Sequence, residues 1–118
     1  LLVQYPNTGN SLARGRFDMP GGRLNEGEDV VAGLKREVFE EIGVDIVVEK
    51  ILATGTFINL ANQKVFFVVY KAFLADENKD FILETSEIGG TEWHDPKEFF
   101  TLPIIYKEYQ EALKSVLT

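Results

Sequence analysis

The 118 residues contain no cysteine and one each of histidine, methionine and tryptophan. Without cysteine there are no disulfides and no thiolate metal sites, which fits a reducing compartment and makes a cytoplasmic location the expectation. Basic residues are scarce as well: 12 Lys and Arg stand against 19 Asp and Glu, for a formal charge of −7. A non-specific nucleic-acid binder needs a basic face, so this balance argues against nucleic acid as a partner. No apolar run approaches the roughly 20 residues of a bilayer span, and no basic-then-apolar signal segment opens the chain. No membrane partner is expected.

What is present suits one packed domain over residues 1–118. The apolar fraction is 45%, with nine Phe and four Tyr, enough for a core at this length. The chain opens without Met in LLVQY, which reads as the interior of a strand. Further residues are therefore expected before Leu1, leaving the first strand truncated.

Leu1 to Tyr5 is predicted as a short buried strand. Pro6 to Gly15, rich in Asn, Gly and Ser, reads as a loop. Arg16 to Met19 forms a brief strand before the Pro20-Gly21-Gly22 turn. A helix follows from about Asp29 to Ile42, stopped by Gly43. Val44 to Phe57 and Gln63 to Leu74 are apolar and β-branched, and the polar link Asn59 to Asn62 makes them an antiparallel hairpin. A strand is predicted at Thr91 to His94, a short helix from Asp95-Pro96 to Phe100, and a last helix from Pro103 to about Leu117. This order gives an α/β fold, a mixed sheet with helices on its faces.

The helix carries the chemistry. At 100° per residue, Val31, Leu34, Val38 and Ile42 form a core stripe about 80° wide. Glu37, Glu40 and Glu41 occupy an adjoining arc of roughly 100°, with Gly33 inside it and Arg36 at its edge. Such a group of acids repels itself and weakens an isolated helix. An acid-rich helix is most often a solvated face, but acids kept together also suit a cation.

The stretch Gly22 to Val44, GRLNEGEDVVAGLKREVFEEIGV, resembles the Nudix box, the signature of a hydrolase family. Gly22, Glu28, Arg36, Glu37, Val38, Glu40, Glu41, Gly43 and Val44 fill every fixed position at the family's spacing. Phe17-Asp18-Met19-Pro20-Gly21 is similar to the aromatic-x-x-Pro-Gly entry that precedes the box. The resemblance implies a Nudix-type α/β/α sandwich that hydrolyses the pyrophosphate of a nucleoside diphosphate linked to a group X, a small-molecule nucleotide.

By the same resemblance, Glu40 and Glu41 are the main ligands of Mg²⁺ or Mn²⁺, joined by the Gly21 carbonyl. Glu37 is a ligand or the water-orienting base, Arg36 holds the acids, and Glu28 ligates or supports a further metal. Some relatives place the base on a later loop, so Glu87 and Glu92 are candidates and Glu84 a weaker third. Arg14 and Arg16 precede the box and are candidates to grip substrate phosphates, although a lone loop arginine is as often simply solvated. His94 reads first as structural, and Phe57, Phe66, Phe67, Tyr70 and Phe73 as mostly core.

A nucleoside triphosphate cleaved to monophosphate and pyrophosphate, as in clearing the nucleotide pool, is the favoured substrate reading. ADP-ribose or a dinucleoside polyphosphate is the alternative. A regulatory module that has lost turnover would be expected to lack a box acid, and none is lacking. A calcium buffer would need EF-hand spacing, which is absent. A homodimer is an expectation by family analogy alone.

Overall fold

In the computed structural model residues 1–8 and 11–117 are described; Gly9 and Asn10, within the predicted Pro6–Gly15 loop, and Thr118 lie outside them. Strand β1 (Leu2–Gln4) pairs antiparallel with β2 (Phe17–Asp18) on one side and with β5 (Gly90–Glu92) on the other. Strands β3 (Ile46–Ile58) and β4 (Lys64–Leu74) form the predicted hairpin, closed by residues 59–63. Two register shifts, between Val48 and Lys50 and between Ile51 and Ala53, interrupt its ladder. The described ladders are antiparallel, and a parallel bridge joins Phe17 to Ile104.

Successive side chains of a strand point to opposite faces, and β1 uses this to build two cores. Leu2 joins Phe17, Phe99, Ile104 and Leu113, while its neighbour Val3 joins Val38, Ile42, Val44 and Ile88. Helix α1 (Val30–Ile42) covers the Val3 face and α2 (Lys107–Leu117) the Leu2 face. Three layers result, helix on sheet on helix.

The start and stop of α1 follow from its end residues. Asp29 caps it by accepting from Ala32 N at 3.0 Å, and Gly43 ends it in the left-handed region at φ 71°. A Cβ at Gly43 would also press on Ile82, so both conformation and space call for glycine. Val38 and Ile42 are buried as the stripe predicts, and Gly33 is buried beneath Leu24 and Glu28.

The C-terminal third departs from expectation. Pro103 does not open a helix: its carbonyl accepts from Phe17 N, and Ile105 N donates back to the Phe17 carbonyl. Pairing with β2 holds this segment extended and buries Ile104, so α2 starts at Lys107. Strand β5 lies one to two residues earlier than predicted because it registers on β1, Gly90 opposite Gln4 and Glu92 opposite Leu2. Pro96–Phe100 is a 3-10 helix with a capping box between Asp95 and Glu98. Among the aromatic residues, Phe57, Phe67, Tyr106 and Tyr109 pack together, Phe57 and Tyr106 stacked at 4.1 Å. Phe66 and Phe73, expected in the core, are exposed; Phe66 must face away from Phe67 by strand alternation. No helix among the described residues is long and apolar enough to cross a membrane.

Burial sets a stability contrast. Ile42 is 1% exposed and Val47 is 55% exposed. Ile42→Val should lower the unfolding free energy by about 1 kcal/mol and Ile42→Ala by about 3. Val47→Ala should stay within about 0.5 kcal/mol. Urea unfolding of the three variants checks the order.

Candidate active site

Arg36 is the hub of the acid-rich helix. Its Nε and Nη2 grip both oxygens of Glu28, at 2.7 and 2.9 Å. Its Nη1 meets Glu37 at 2.8 Å and Glu40 at 3.1 Å, and Nη2 also donates to the Arg23 carbonyl at 3.0 Å. One guanidinium thus gathers three box acids and the loop that precedes them. The Arg36 hydrogen bonds hold Glu28 down at a pKa of about 2, and those acids push the guanidinium up in turn.

Glu41 stands apart from this cluster. Its Oε1 accepts from Gly21 N at 3.0 Å, tying the helix to the glycine turn. Burial, followed by the charges of Asp18, Glu37 and Glu87, raises Glu41 from 4.5 to about 7 against the Gly21 hydrogen bond. Gly22 allows the close approach: a Cβ there would strike the Glu37 carboxylate.

Glu87 arrives from a distant loop held to the end of α1. Ile82 N donates to the Ile42 carbonyl at 2.9 Å and Glu84 N to the Glu41 carbonyl at 2.8 Å. Glu84 turns to Ser86 and is spent there, accepting from its hydroxyl at 2.7 Å. A cavity of about 570 Å³ results, lined among others by Arg14, Gly21, Gly22, Glu37, Glu41 and Glu87.

Of the sequence candidates, Arg14, Gly21, Glu37, Glu41 and Glu87 therefore share one cavity. Glu28 and Glu40 sit behind it on Arg36. Arg16 is exposed and outside its lining. Glu92 is also outside: it pairs with His94 Nε2 at 2.9 Å while Glu98 takes Nδ1 at 3.2 Å. This pairing lifts the His94 pKa, through Glu98 first, and locks β5 to the 3-10 helix. Sequence reasoning missed Tyr5, Ser11 and Ser86 in the lining. It also missed Asp18, whose signal was a lone acid between two apolar residues.

Among the described residues no three acidic or histidine side chains stand as a ready metal cluster, because Arg36 engages three of the box acids. The donor chemistry still fits a hard divalent cation. The cavity wall offers carboxylate oxygens from Glu37, Glu41 and Glu87, the donor type such a cation prefers.

A three-layer α/β fold with this acid-and-glycine constellation defines a class, and comparison with known proteins agrees. A family model for the NUDIX domain matches residues 1–116. The chain belongs to the Nudix family. Nudix hydrolase 2 of Arabidopsis thaliana is 34% identical over 109 residues, covering 89% of this chain and 37% of that protein. Nudix hydrolase 8 of the same plant is 33% identical over 107 residues, 89% of this chain and 28% of that protein. The uncharacterized Nudix hydrolase YvcI of Bacillus subtilis is 30% identical, over 88% of this chain and 63% of that one. The chain thus spans less than two thirds of the length of these relatives. In fold it is similar to the MutT protein of Methanosarcina mazei, with a TM-score of 0.79 at 23% identity, covering 97% of this chain and 79% of that one. The E. coli ORF135 protein gives 0.74 at 18% identity, over 98% and 79%. The Nudix fold is established, and Nudix hydrolases generally need a divalent cation.

The Glu41 shift has a measurable consequence. Its folded pKa of about 7 lies above the ordinary 4.5, so the folded state holds this proton more tightly than the unfolded chain. The associated stability is full below about pH 4.5 and is lost as pH rises through about 7. Glu41→Gln, melted without metal, should flatten that decline and raise the Tm at pH 7.5 by several degrees. A Tm unchanged or lowered at every pH would contradict it.

Proposed function

We propose that the chain hydrolyses the pyrophosphate linkage of a nucleoside diphosphate derivative, favouring a nucleoside triphosphate cleaved to monophosphate and pyrophosphate. The observation that supports this reading best is the single cavity lined by Glu37, Glu41, Glu87, Arg14 and the Gly21–Gly22 turn. Glu40 and Glu41, with Glu37 and the Gly21 carbonyl, would hold Mg²⁺ or Mn²⁺, and Glu28 would support them through Arg36. When bound, the cation offsets charge between acids and pyrophosphate and makes water a better nucleophile.

The remaining work belongs to the side chains. Arg36 orients Glu28, Glu37 and Glu40 through its hydrogen bonds and holds Glu28 ionised, since its guanidinium is always charged. Arg14, at the cavity wall, is placed to bind a phosphate oxygen. Glu37 or Glu87 orients the attacking water and takes its proton, and no covalent enzyme intermediate is involved. Glu92 drops out of the list of bases, because it faces His94 rather than the cavity. Arg16 is the weaker phosphate candidate for the same reason of position. The reading carries a cytoplasmic location from the cysteine-free composition and a homodimer from family analogy.

A panel of ATP, GTP, CTP, UTP and ADP-ribose, assayed for phosphate and pyrophosphate release with Mg²⁺ and with Mn²⁺, tests it. Pyrophosphate should appear from a triphosphate, and Glu41→Gln should lower kcat by about 100-fold or more. Turnover that survives Glu41→Gln unchanged would remove the assignment. Failure to cleave any nucleotide would favour a binding module.

A further inference from the structure

Asp18 is a carboxylate that the proposed chemistry leaves unused. It sits in β2 between buried Phe17 and half-buried Met19, and among the described residues no basic group forms an ion pair with it. Its Oδ2 accepts from the Tyr5 hydroxyl at 2.6 Å and its Oδ1 from Met19 N at 2.7 Å. Burial raises its pKa from 3.8 to about 6 despite both hydrogen bonds. Keeping an acid shielded from bulk water without a cation is costly. An asparagine could accept from Met19 N just as well, so anchoring the turn does not by itself require a carboxylate.

The carboxylate is not sealed in the core. It lines a cleft of about 1020 Å³ between β2 and the hairpin, whose walls include Phe57, Tyr106 and Tyr109. Tyr5, Gly21 and Gly22 line both this cleft and the acidic cavity, so the two are neighbours across the glycine turn. Asp18 lies three residues before Gly21, at most about 10 Å along an extended chain. A nucleotide with its phosphates over Gly21–Gly22 would carry its base into this end of the cleft. Each Asp18 oxygen has one donor already and a second lone pair to offer. Two acceptors side by side match a ring edge with two adjacent N–H donors, and aromatic walls suit a flat ring.

We propose that Asp18, oriented by Tyr5, is a specificity residue that reads the base of the nucleotide, selecting a purine edge that carries adjacent ring N–H and exocyclic amino donors, as guanine does. The proposal rests on the nucleotide reading given above. Inosine has the ring N–H and lacks the amino group, so the pair GMP and IMP isolates the contact without requiring turnover.

Calorimetric titration of the full chain with GMP and with IMP is the test. The wild type should bind GMP about tenfold or more tightly than IMP, the usual size of a hydrogen bond to a charged group. Asp18→Asn, which replaces one acceptor by a donor, should bring the ratio near one. Tyr5→Phe keeps the ring and loosens the carboxylate, so it should lower the ratio part of the way; it also serves should Asp18→Asn fold poorly. A wild-type ratio near one, or a ratio that both variants leave unchanged, would overturn the proposal even if triphosphates are hydrolysed. Selective GMP binding that depends on Asp18, in a chain that cleaves no nucleotide, would uphold it and remove the hydrolase reading instead.

Discussion

The arrangement depends on one guanidinium holding three carboxylates. Glu28, Glu37 and Glu40 would push one another apart, and with them the loop and helix that carry them. Arg36 touches all three within 3.1 Å and also binds the Arg23 carbonyl. The helix can therefore be acidic on one arc and still pack on the adjoining one. Glu41, out of reach of that cation, keeps its unfavourable position through burial and one hydrogen bond from Gly21. Glu37 lines the cavity paired to Arg36, while Glu41 lines it with a hydrogen bond from the Gly21 amide. That uneven compensation is what makes the site a place for a cation.

Anchoring of the surrounding loops follows from the same helix. Its C-terminal carbonyls at Glu41 and Ile42 receive the amides of Glu84 and Ile82, satisfying orphan acceptors at the helix end. This brings Glu87 to the cavity across some fifty residues of chain. The opposite wall comes from the end of β1, where the following Tyr5 amide donates to the Arg16 carbonyl, while Leu2 and Val3 within the strand bind the two cores. At the far end the hairpin loop is tied in as well, by Arg23 to Gln63 and by Leu60 N to the Tyr106 hydroxyl.

Much of this was legible from local pattern. The α1 stripe, its Asp29 and Gly43 ends and the β3–β4 hairpin depend on contacts between near neighbours, and they stand where periodicity and turn chemistry put them. The start of α2 was misread because Pro103 is a good helix opener in isolation, while its carbonyl is captured by Phe17, more than eighty positions away. Glu92 and Glu87 stood on an equal footing in the sequence, two acids near the Trp93 strand. His94 and Glu98 claim the first, and the Ile82 and Glu84 amides swing the second toward Glu41.

The sequence by itself determined the family and the acid-bearing helix, because residues three and four apart share a helix face whatever surrounds them. It determined equally that no cysteine, basic surface or long apolar run would set the chemistry. Tertiary structure decided which acids face a common cavity, which are taken up by Arg36, and that Asp18 looks into a cleft beside the glycine turn. Those outcomes rest on pairings between distant segments and on burial, and neither is encoded in any single stretch of chain.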